Sequence, residues 1–349
     1  MKKNRLKREL LRWGMLLAFP ALMSSCLMEY PEMTADGELG VDPTSVTVKA
    51  KILIDLKSLA AQETGRLARA EDEEAAYSHR IVVAAYEDRQ LVQQEVIYED
   101  LSASSRLQTE VRLRLHARRY QLVVWADYVQ EGEEPFYDID GPEGLASIIG
   151  REGYTGNTEY KDAFYSSKEI DLTGYKDEWN AEFPLEVIPE RPLARYELTA
   201  TDVMAFLREY PEVTQVRLTL KYDDYLPKGF NALDGITKHA FKYLQYSRTV
   251  SLPKDGATSL PLMFDYVFVD SEGGFSVPVT LLVEDADKGT LLASSSFRLS
   301  CAQGENKDIQ FDFLTTSPED GVGFNPGFDG DQEVELCLLY TSPSPRDMR

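Results

Sequence analysis

The sequence is poor in the residues that most metal, redox and hydrolytic sites use. It has three cysteines and three histidines in 349 residues. Three cysteines provide no disulfide framework, so an exported chain of this kind must rely on apolar packing. The histidines, His79, His116 and His239, form no pair at metal-ligand spacing and adjoin no nucleophile–base motif.

Several sequence signatures are also missing. There is no Gly-x-Ser-x-Gly motif, no phosphate-binding loop and no paired-cysteine zinc motif. After the first 25 residues, no segment is apolar enough to span a bilayer. The net charge of −22 would repel nucleic acid and anionic lipid heads. We therefore expect a protein that is not an enzyme, needs no cofactor and has no nucleic-acid partner.

Two acidic runs raise the question of a weak calcium site. Each run places carboxylates at alternate positions: Asp138, Asp140 and Glu143 in one, and Asp329, Asp331 and Glu333 in the other. Calcium takes about six to eight oxygen ligands, and neither run offers enough of them in register. Because such runs arise by chance in an acidic chain, a polar turn is the favoured interpretation and no metal site is predicted.

The N-terminus has the pattern of an export signal. Six basic residues precede the apolar run from Met15 to Met23: Lys2, Lys3, Arg5, Lys7, Arg8 and Arg12. Cys26 then follows Ser24 and Ser25, which resembles a bacterial lipoprotein signal with an acylated cysteine at the new N-terminus. We predict a signal peptide over residues 1–25 and a palmitate-type lipid on Cys26. A plain secreted protein with a chance cysteine is the alternative.

Residues 26–44 contain prolines, glycines and scattered acids, which is typical of a flexible tether. The other end of the chain is predicted not to be native protein. Residues 337–349 look like a translated sequencing-library adaptor, and we exclude them from the fold. Residues 317–336 are then a C-terminal extension of a native chain that is cut short near Leu336.

Short strands with alternating apolar and polar residues dominate the remainder. Val46 to Leu56 shows the period of two most clearly, and Tyr120 to Tyr128 is the most apolar strand, so Trp125 is predicted to lie in the core. Two brief helices are predicted, at Pro142–Ile149 and from Asp202 to Tyr210. Residues 150–180 and 227–245 are predicted to be loops. The fold class is all-β, with β-sandwiches at 45–190 and 191–316 divided near Pro189–Pro192.

The predicted loop at 150–180 concentrates aromatic residues. They are Tyr154, Tyr160, Phe164, Tyr165, Tyr175 and Trp179. Exposed rings of this kind stack on sugars or seat a partner protein, and the tyrosines and Trp179 are the candidate ligand-binding residues. The alternative, which we favour, is that the rings pack to order a long loop.

Five segments, in their order, carry a family resemblance. They are the lipobox at Cys26, Tyr120-Gln-Leu-Val-Val-Trp-Ala-Asp-Tyr128, Asp162-Ala-Phe-Tyr165, Arg191-Pro-Leu-Ala-Arg195 and Phe264-Asp-Tyr-Val-Phe268. This chain resembles the fimbrillin-associated anchor lipoproteins of Bacteroides-type bacteria, in an uncharacterised branch of that superfamily. The resemblance covers most of residues 26–316. It implies two tandem transthyretin-like sandwiches with short helices, and it transfers no catalytic residues.

The resemblance further implies a lipoprotein of the cell outer membrane that faces the exterior. Its partners would be the membrane, through the acyl chains, and fimbrial subunits bound by β-strand addition. The expected function is a non-catalytic anchor or accessory subunit of a fimbria-like assembly that serves cell adhesion. A glycan-binding lipoprotein that uses the aromatic loop is the alternative, and a hydrolase would need convergent carboxylates that the sequence does not suggest.

Overall fold

The computed structural model describes residues 45–56, 77–101, 106–178, 180–253, 256–317 and 323–324. Residue contacts divide the chain into two compact units. The described parts of the smaller unit are residues 45–48, 114–119, 171–178 and 180–183, and the larger unit takes the rest. Both sides of Pro189–Pro192 lie in the larger unit, and the domain boundary near residue 190 stays a prediction.

The first half of the described chain consists of β-strands. In chain order they are β1 (Ser45–Asp55), β2 (Tyr77–Glu87), β3 (Gln90–Asp100), β4 (Arg106–His116), β5 (Arg119–Gln130), β6 (Tyr137–Asp138), β7 (Ile148–Gly150), β8 (Ala163–Asp171) and β9 (Ala181–Val187). Two sheets have the strand orders β4-β1-β9 and β3-β2-β5-β8. On β1 the predicted alternation is confirmed, because every second residue from Val46 to Ile54 is buried.

The central position of β5 is also confirmed. It lies between β2 and β8, and its residues from Leu122 to Asp127 are all buried. A strand that is covered on both faces reads as a continuous apolar run, as this one does. Trp125 has no exposed surface and lies in the core, as predicted.

The second half continues with strands and one α-helix. The strands are β10 (Leu193–Ala200), β11 (Gln215–Tyr222), β12 (Leu226–Asn231), β13 (Ile236–Phe241), β14 (Gln245–Ser251), β15 (Leu260–Phe268), β16 (Phe275–Asp285), β17 (Leu291–Cys301), β18 (Asn306–Phe311) and β19 (Gly323–Phe324). They form sheets of order β15-β10-β18 and β14-β11-β16-β17-β19, and a third of order β13-β12-β7-β6. Most neighbours are antiparallel, whereas β10–β18 and β17–β19 are parallel.

One apolar core joins the sheets that contain β10 and β11. Buried side chains of both sheets belong to it, including Tyr196 on β10, Leu218 on β11 and Leu281 on β16. The helix α1 (Val203–Glu209) contributes Phe206 to the same core. Two facing sheets with alternating inward residues make a β-sandwich. The all-β sandwich fold class is thus confirmed.

The helix predicted from Asp202 to Tyr210 is confirmed as α1, which runs from Val203 to Glu209. Asp202 occupies the capping position, yet its side chain makes no capping hydrogen bond. Its Oδ2 instead accepts from the backbone N–H groups of Leu314 and Thr315 and from the Thr315 hydroxyl, at 2.6–2.9 Å. Among the described residues, no helix has the length and apolar character needed to cross a membrane.

The helix predicted at Pro142–Ile149 is wrong in extent. A single 3₁₀ turn covers Gly144–Ala146, and β7 begins at Ile148. Gly144 has a φ of +53°, and a Cβ on it would lie 2.9 Å from the Tyr86 hydroxyl. A left-handed backbone at this point is incompatible with an α-helix. Glu143 precedes the 3₁₀ turn and makes no side-chain capping hydrogen bond, and the backbone N–H of Asp140 donates to Asp138 Oδ1 at 2.9 Å.

Both predicted loops contain strands. Residues 150–180 include β8, an edge strand whose buried and exposed residues do not alternate. Residues 227–245 include most of the β12–β13 hairpin. Pro227 and Gly229 indicated a loop, but Gly229 is required by close packing: a Cβ on it would lie 2.5 Å from the Ile148 carbonyl oxygen on β7.

Candidate functional site

The most exposed apolar surface of a strand lies on β3. It leaves β2 through a two-residue turn, Asp88-Arg89, in which φ is +49° and +65°. Positive φ at both central residues is typical of the hairpin turns whose twist matches that of the strands. The antiparallel pairing then runs from Glu87–Gln90 to Ser78–Asp100, with one register shift next to Tyr86.

Among the described residues, β3 is exposed over much of its length, although Glu99 accepts a hydrogen bond from Thr109 on β4. The exposed apolar side chains of β3 define what we call the β3 edge: Leu91, Val92, Val96 and Tyr98. Glu95 and Val96 are adjacent residues of β3, lie away from the register shift and are both exposed. Because neighbouring residues of a regular strand point to opposite faces, both faces of β3 are open at this point. Its partner β2 is buried along most of its length. Within the described part of the chain, β3 has hydrogen-bonded strand pairing on its β2 side alone.

The start of β3 is held by an ion pair. Both terminal nitrogens of Arg89 donate to the Asp234 carboxylate, at 2.8 and 2.6 Å. These hydrogen bonds lower the pKa of Asp234, and Asn231 adds a further hydrogen bond to the same carboxylate. A bidentate arginine–carboxylate pair fixes geometry as well as charge. The β2–β3 turn is therefore tied to the loop between β12 and β13.

A buried polar cluster surrounds Asp265 on β15. The carboxylate accepts hydrogen bonds from Lys161 Nζ at 2.5 Å, from Tyr154 OH at 2.6 Å and from Tyr222 OH at 2.8 Å. The backbone N–H of Tyr266 donates to it as well. Burial, followed by the Asp265 charge, raises the pKa values of Tyr154 and Tyr222 well above their usual value. A carboxylate that is fully buried and saturated with donors holds the structure together and is unavailable as a general base.

The three histidines lie on three different strands. His79 on β2 is buried, its ring centroid is 4.7 Å from that of Tyr128, and burial lowers its pKa. His116 lies at the exposed end of β4. His239 on β13 contacts Ser147, with Nε2 and Oγ 3.2 Å apart at an exposed position. No local sequence pattern indicates this pair, because the two residues are 92 positions apart.

The Ser147–His239 pair does not form a catalytic triad. In such a triad a carboxylate orients the histidine through its second ring nitrogen. Among the described residues no hydrogen bond joins a carboxylate to His239. Nor do the described residues contain a group of three His, Cys, Asp or Glu side chains that could hold a metal ion.

Of the five predicted aromatic ligand residues, four are described, and they point into four different surroundings. Tyr154 belongs to the Asp265 cluster, and Tyr160 stacks on Tyr77 with ring centroids 3.5 Å apart. Tyr165 meets Phe230 edge to face, and Tyr175 meets Phe183 in the same way. Trp179 lies outside the described residues. Tyr175 belongs to the smaller unit and the other three tyrosines to the larger one, and the role of these rings in ligand binding stays a prediction.

The remaining predicted sites are only partly described. Asp138, Asp140 and Glu143 form a polar turn, in which Asp138 binds the Asp140 N–H and Glu143 lies 3.8 Å from Lys238. The second acidic run, at Asp329–Glu333, lies outside the described residues, as do the signal peptide, Cys26 and the adaptor-like tail. Cys301, the third cysteine, is buried on β17.

Comparison with known proteins places this chain in a sequence family and finds distant structural neighbours. The model of a family of unknown function, DUF6562, matches residues 43–341. The fimbrial anchor protein Mfa2 from Porphyromonas gingivalis is 14 % identical; the match covers 80 % of this chain and 90 % of that one, with a TM-score of 0.43. No curated protein matches the chain.

Two further solved structures come from Bacteroides. One, from Bacteroides thetaiotaomicron, is provisionally described as polysaccharide-binding (DUF1812); at 13 % identity the match covers 77 % of this chain and 92 % of that one, with a TM-score of 0.43. The other, from Bacteroides ovatus, is provisionally described as an adhesin; at 12 % identity the match covers 80 % and 94 %, with a TM-score of 0.42.

Proposed function

The chain belongs to DUF6562, a family of unknown function, and we propose that it is a non-catalytic lipoprotein that binds a partner by β-strand addition at the β3 edge. The partner would be a subunit of a fimbria-like assembly, for which this chain serves as an anchor or accessory subunit. Fimbrial anchoring is the role that the name of the Porphyromonas gingivalis neighbour gives to that protein.

The observation that carries the proposal is the open edge of β3. Natural proteins protect an edge strand by covering or shortening it, by charged residues or proline on it, or by a bulge. β3 has one register shift next to Tyr86 and three acidic residues, but it is 11 residues long, contains no lysine or proline, and exposes Val92 and Tyr98. A partner strand could extend the β3-β2-β5-β8 sheet through backbone hydrogen bonds, with these side chains supplying contacts.

The proposed location follows from the leader sequence. Cys26 would carry the lipid, and residues 26–44 would separate the sandwich from the outer membrane. Because the chain is strongly acidic, membrane attachment would rest on the acyl chains and not on a basic patch. A Cys26→Ser variant should leave the membrane fraction, and its retention there would contradict this part of the proposal.

Glycan binding by the aromatic loop remains the second candidate function. The surroundings of Tyr154, Tyr160, Tyr165 and Tyr175 give it no specific support, since each ring packs against a different neighbour. A glycan array with the wild-type protein and a Trp179→Ala variant tests this alternative directly.

Capture from intact cells tests strand addition. The native gene is expressed with an affinity tag, and protease shaving reports whether the domain is on the surface. We expect a salt-resistant complex with a sandwich-type fimbrial subunit. A Val92→Lys/Tyr98→Lys variant should recover about tenfold less of it, because lysine on an edge strand opposes further pairing.

The matched control is Ile236→Lys, which places a lysine at an exposed apolar position of another edge strand, β13. This control should leave recovery unchanged. Recovery of no fimbrial subunit by the wild-type protein, or equal losses in both lysine variants, would refute strand addition at β3.

A further inference from the structure

The larger unit contains a small cavity whose walls combine apolar rings with cations. Its volume is about 40 Å³, and its walls include the rings of Phe136, Tyr137 and Phe268. Arg151, Lys161 and Lys228 also line it. Three cationic side chains around one cavity are notable in a chain whose net charge is −22.

One of the three cations is already neutralised. Lys161 donates to Asp265 at 2.5 Å and lies 4.4 Å from the centre of the Tyr154 ring. The positive charge of Lys161 is therefore balanced by a fully buried carboxylate. The net charge of the cavity walls therefore depends on the other two cations, Arg151 and Lys228.

Arg151 and Lys228 have no carboxylate partner among the described residues. The Arg151 side chain donates to the Glu134 carbonyl oxygen and the Thr155 hydroxyl, each at 3.3 Å, and its guanidinium lies 4.1 Å from the centre of the Phe136 ring. Lys228 Nζ lies 5.5 Å from the centre of the Phe241 ring. Both cations thus lie beside aromatic rings and form no ion pair with a described carboxylate.

The surroundings of Lys228 would favour an added negative charge. Partial burial lowers the pKa of Lys228, and the neighbouring Lys161 charge lowers it further, against the opposing effects of Glu152 and Glu134. A carboxylate bound between Lys228 and Arg151 would offset the cost of this burial. Gly150 shapes the site, because a Cβ on it would lie 2.9 Å from the Lys228 carbonyl oxygen and 3.0 Å from Lys228 Cγ.

We propose that this cavity binds the carboxylate of a short aliphatic acid, with the stem against the Phe136, Tyr137 and Phe268 rings and the charge between Arg151 and Lys228. A buried water requires about 10–15 Å³, so the cavity holds about three water-sized groups, which matches the three non-hydrogen atoms of a carboxylate group. The one or two carbons of the stem would extend towards the open side of the cavity. The acid is either free or the C-terminal carboxylate of a peptide. This inference is independent of strand addition at β3.

Ligand-observed NMR with propionate tests the proposal on the mature chain. So small a ligand should bind with a Kd of roughly millimolar. Propionamide, which has nearly the same shape without the charge, should bind at least about tenfold more weakly. Lys228→Met and Arg151→Met each remove one charge but keep an apolar stem, and each should weaken propionate binding about tenfold.

The matched control is Lys242→Met. Lys242 also lies over an aromatic ring, with Nζ 4.5 Å from the centre of Tyr225, but it does not line the cavity. The Lys242→Met variant should bind propionate with the same affinity as the wild-type chain. Circular dichroism confirms that each variant is folded, and the two cation variants test the site separately if one of them does not fold.

A second arm identifies the source of the carboxylate. A tripeptide with a free C-terminus is compared with its amidated form. Tighter binding of the free-terminus peptide than of propionate would assign the site to a chain end, and tighter binding of propionate would assign it to a free acid. The proposal is overturned if neither acid binds, if propionamide binds as tightly as propionate, or if both cation variants keep wild-type affinity.

Discussion

Arg80 on β2 and Asp127 on β5 are register partners, and they form a bidentate ion pair inside the protein. Arg80 Nε and a terminal nitrogen donate to the two oxygens of Asp127 at 2.9 and 2.5 Å. A third hydrogen bond, at 2.8 Å, joins Arg80 to the Tyr137 carbonyl oxygen. Burial raises the pKa of Asp127, and the hydrogen bonds and charge of Arg80 oppose that rise.

Removal of one partner of this pair should be costly. Arg80→Met leaves a buried carboxylate without its counter-ion, and we expect a loss of about 3–5 kcal/mol in the free energy of unfolding. The double variant Arg80→Met/Asp127→Leu should lose less than the two single variants together, because no buried charge is left. Urea denaturation measures all three.

The exposed pair of Arg119 and Asp171 is the control for this cycle. Its N–O distance is 2.9 Å, but both side chains are largely in solvent. Arg119→Met should therefore change the unfolding free energy by less than about 1 kcal/mol. Equal losses in Arg80→Met and Arg119→Met would contradict the importance of burial.

The Asp265 cluster predicts a second stability effect. Asp265→Asn removes the negative charge that balances Lys161 and weakens the acceptor shared by Tyr154 and Tyr222. We expect a loss of about 3 kcal/mol, since a buried ammonium loses its counter-ion. Asp224→Asn, at an exposed pair with Lys242 3.8 Å away, should cost less than about 0.5 kcal/mol.

The titration of Asp162 should make the free energy of unfolding depend on pH. Burial raises the pKa of Asp162 to about 6, although Arg191 Nε donates to both carboxylate oxygens at 2.9–3.0 Å. An unfolded aspartate has a pKa of about 3.9. Between these two values the folded state keeps a proton that the unfolded state has released, so its contribution to stability falls as pH rises from about 4 to about 6.

The size of this effect is about 3 kcal/mol, from a shift of about two pKa units. Asp162→Asn cannot titrate, so the difference in unfolding free energy between wild type and variant should change across this pH interval and be flat above it. Urea denaturation at a series of pH values measures that difference. A pH-independent difference would show that the folded pKa of Asp162 is not raised.

Strands in which buried residues alternate or are continuous could be predicted from the sequence. Strands that contain proline or glycine for a specific packing contact were predicted to be loops. β1 was predicted within one residue of its ends, and Trp125 was placed correctly in the core. β12 was missed because Pro227 and Gly229 are usually turn residues. In the structure, Gly229 permits the close approach of β7, a contact that no local pattern shows.

The candidate sites depended even more on distant contacts. Lys161 and Asp265 are 104 residues apart, and Arg89 and Asp234 are 145 apart. One sequence gives no signal that joins such positions. The exposure of β3 could not be predicted from the sequence either, because its mixture of apolar and polar residues is that of an ordinary half-buried strand.

The Cys301 thiol should be alkylated more slowly in the folded chain than in the unfolded chain. The thiol is buried on β17, and burial raises its pKa to about 12. Since the thiolate is the reactive form, alkylation by iodoacetamide at pH 8 should be slower by roughly a thousandfold than for an ordinary thiol of pKa about 8.5. Unfolding in urea should restore the alkylation rate of an ordinary thiol.

Ser300→Cys, at the exposed neighbouring position, is the control and should react quickly in the folded protein. Peptide mass spectrometry reads each site separately, and equal folded-state rates at 300 and 301 would show that β17 does not shield its inner face.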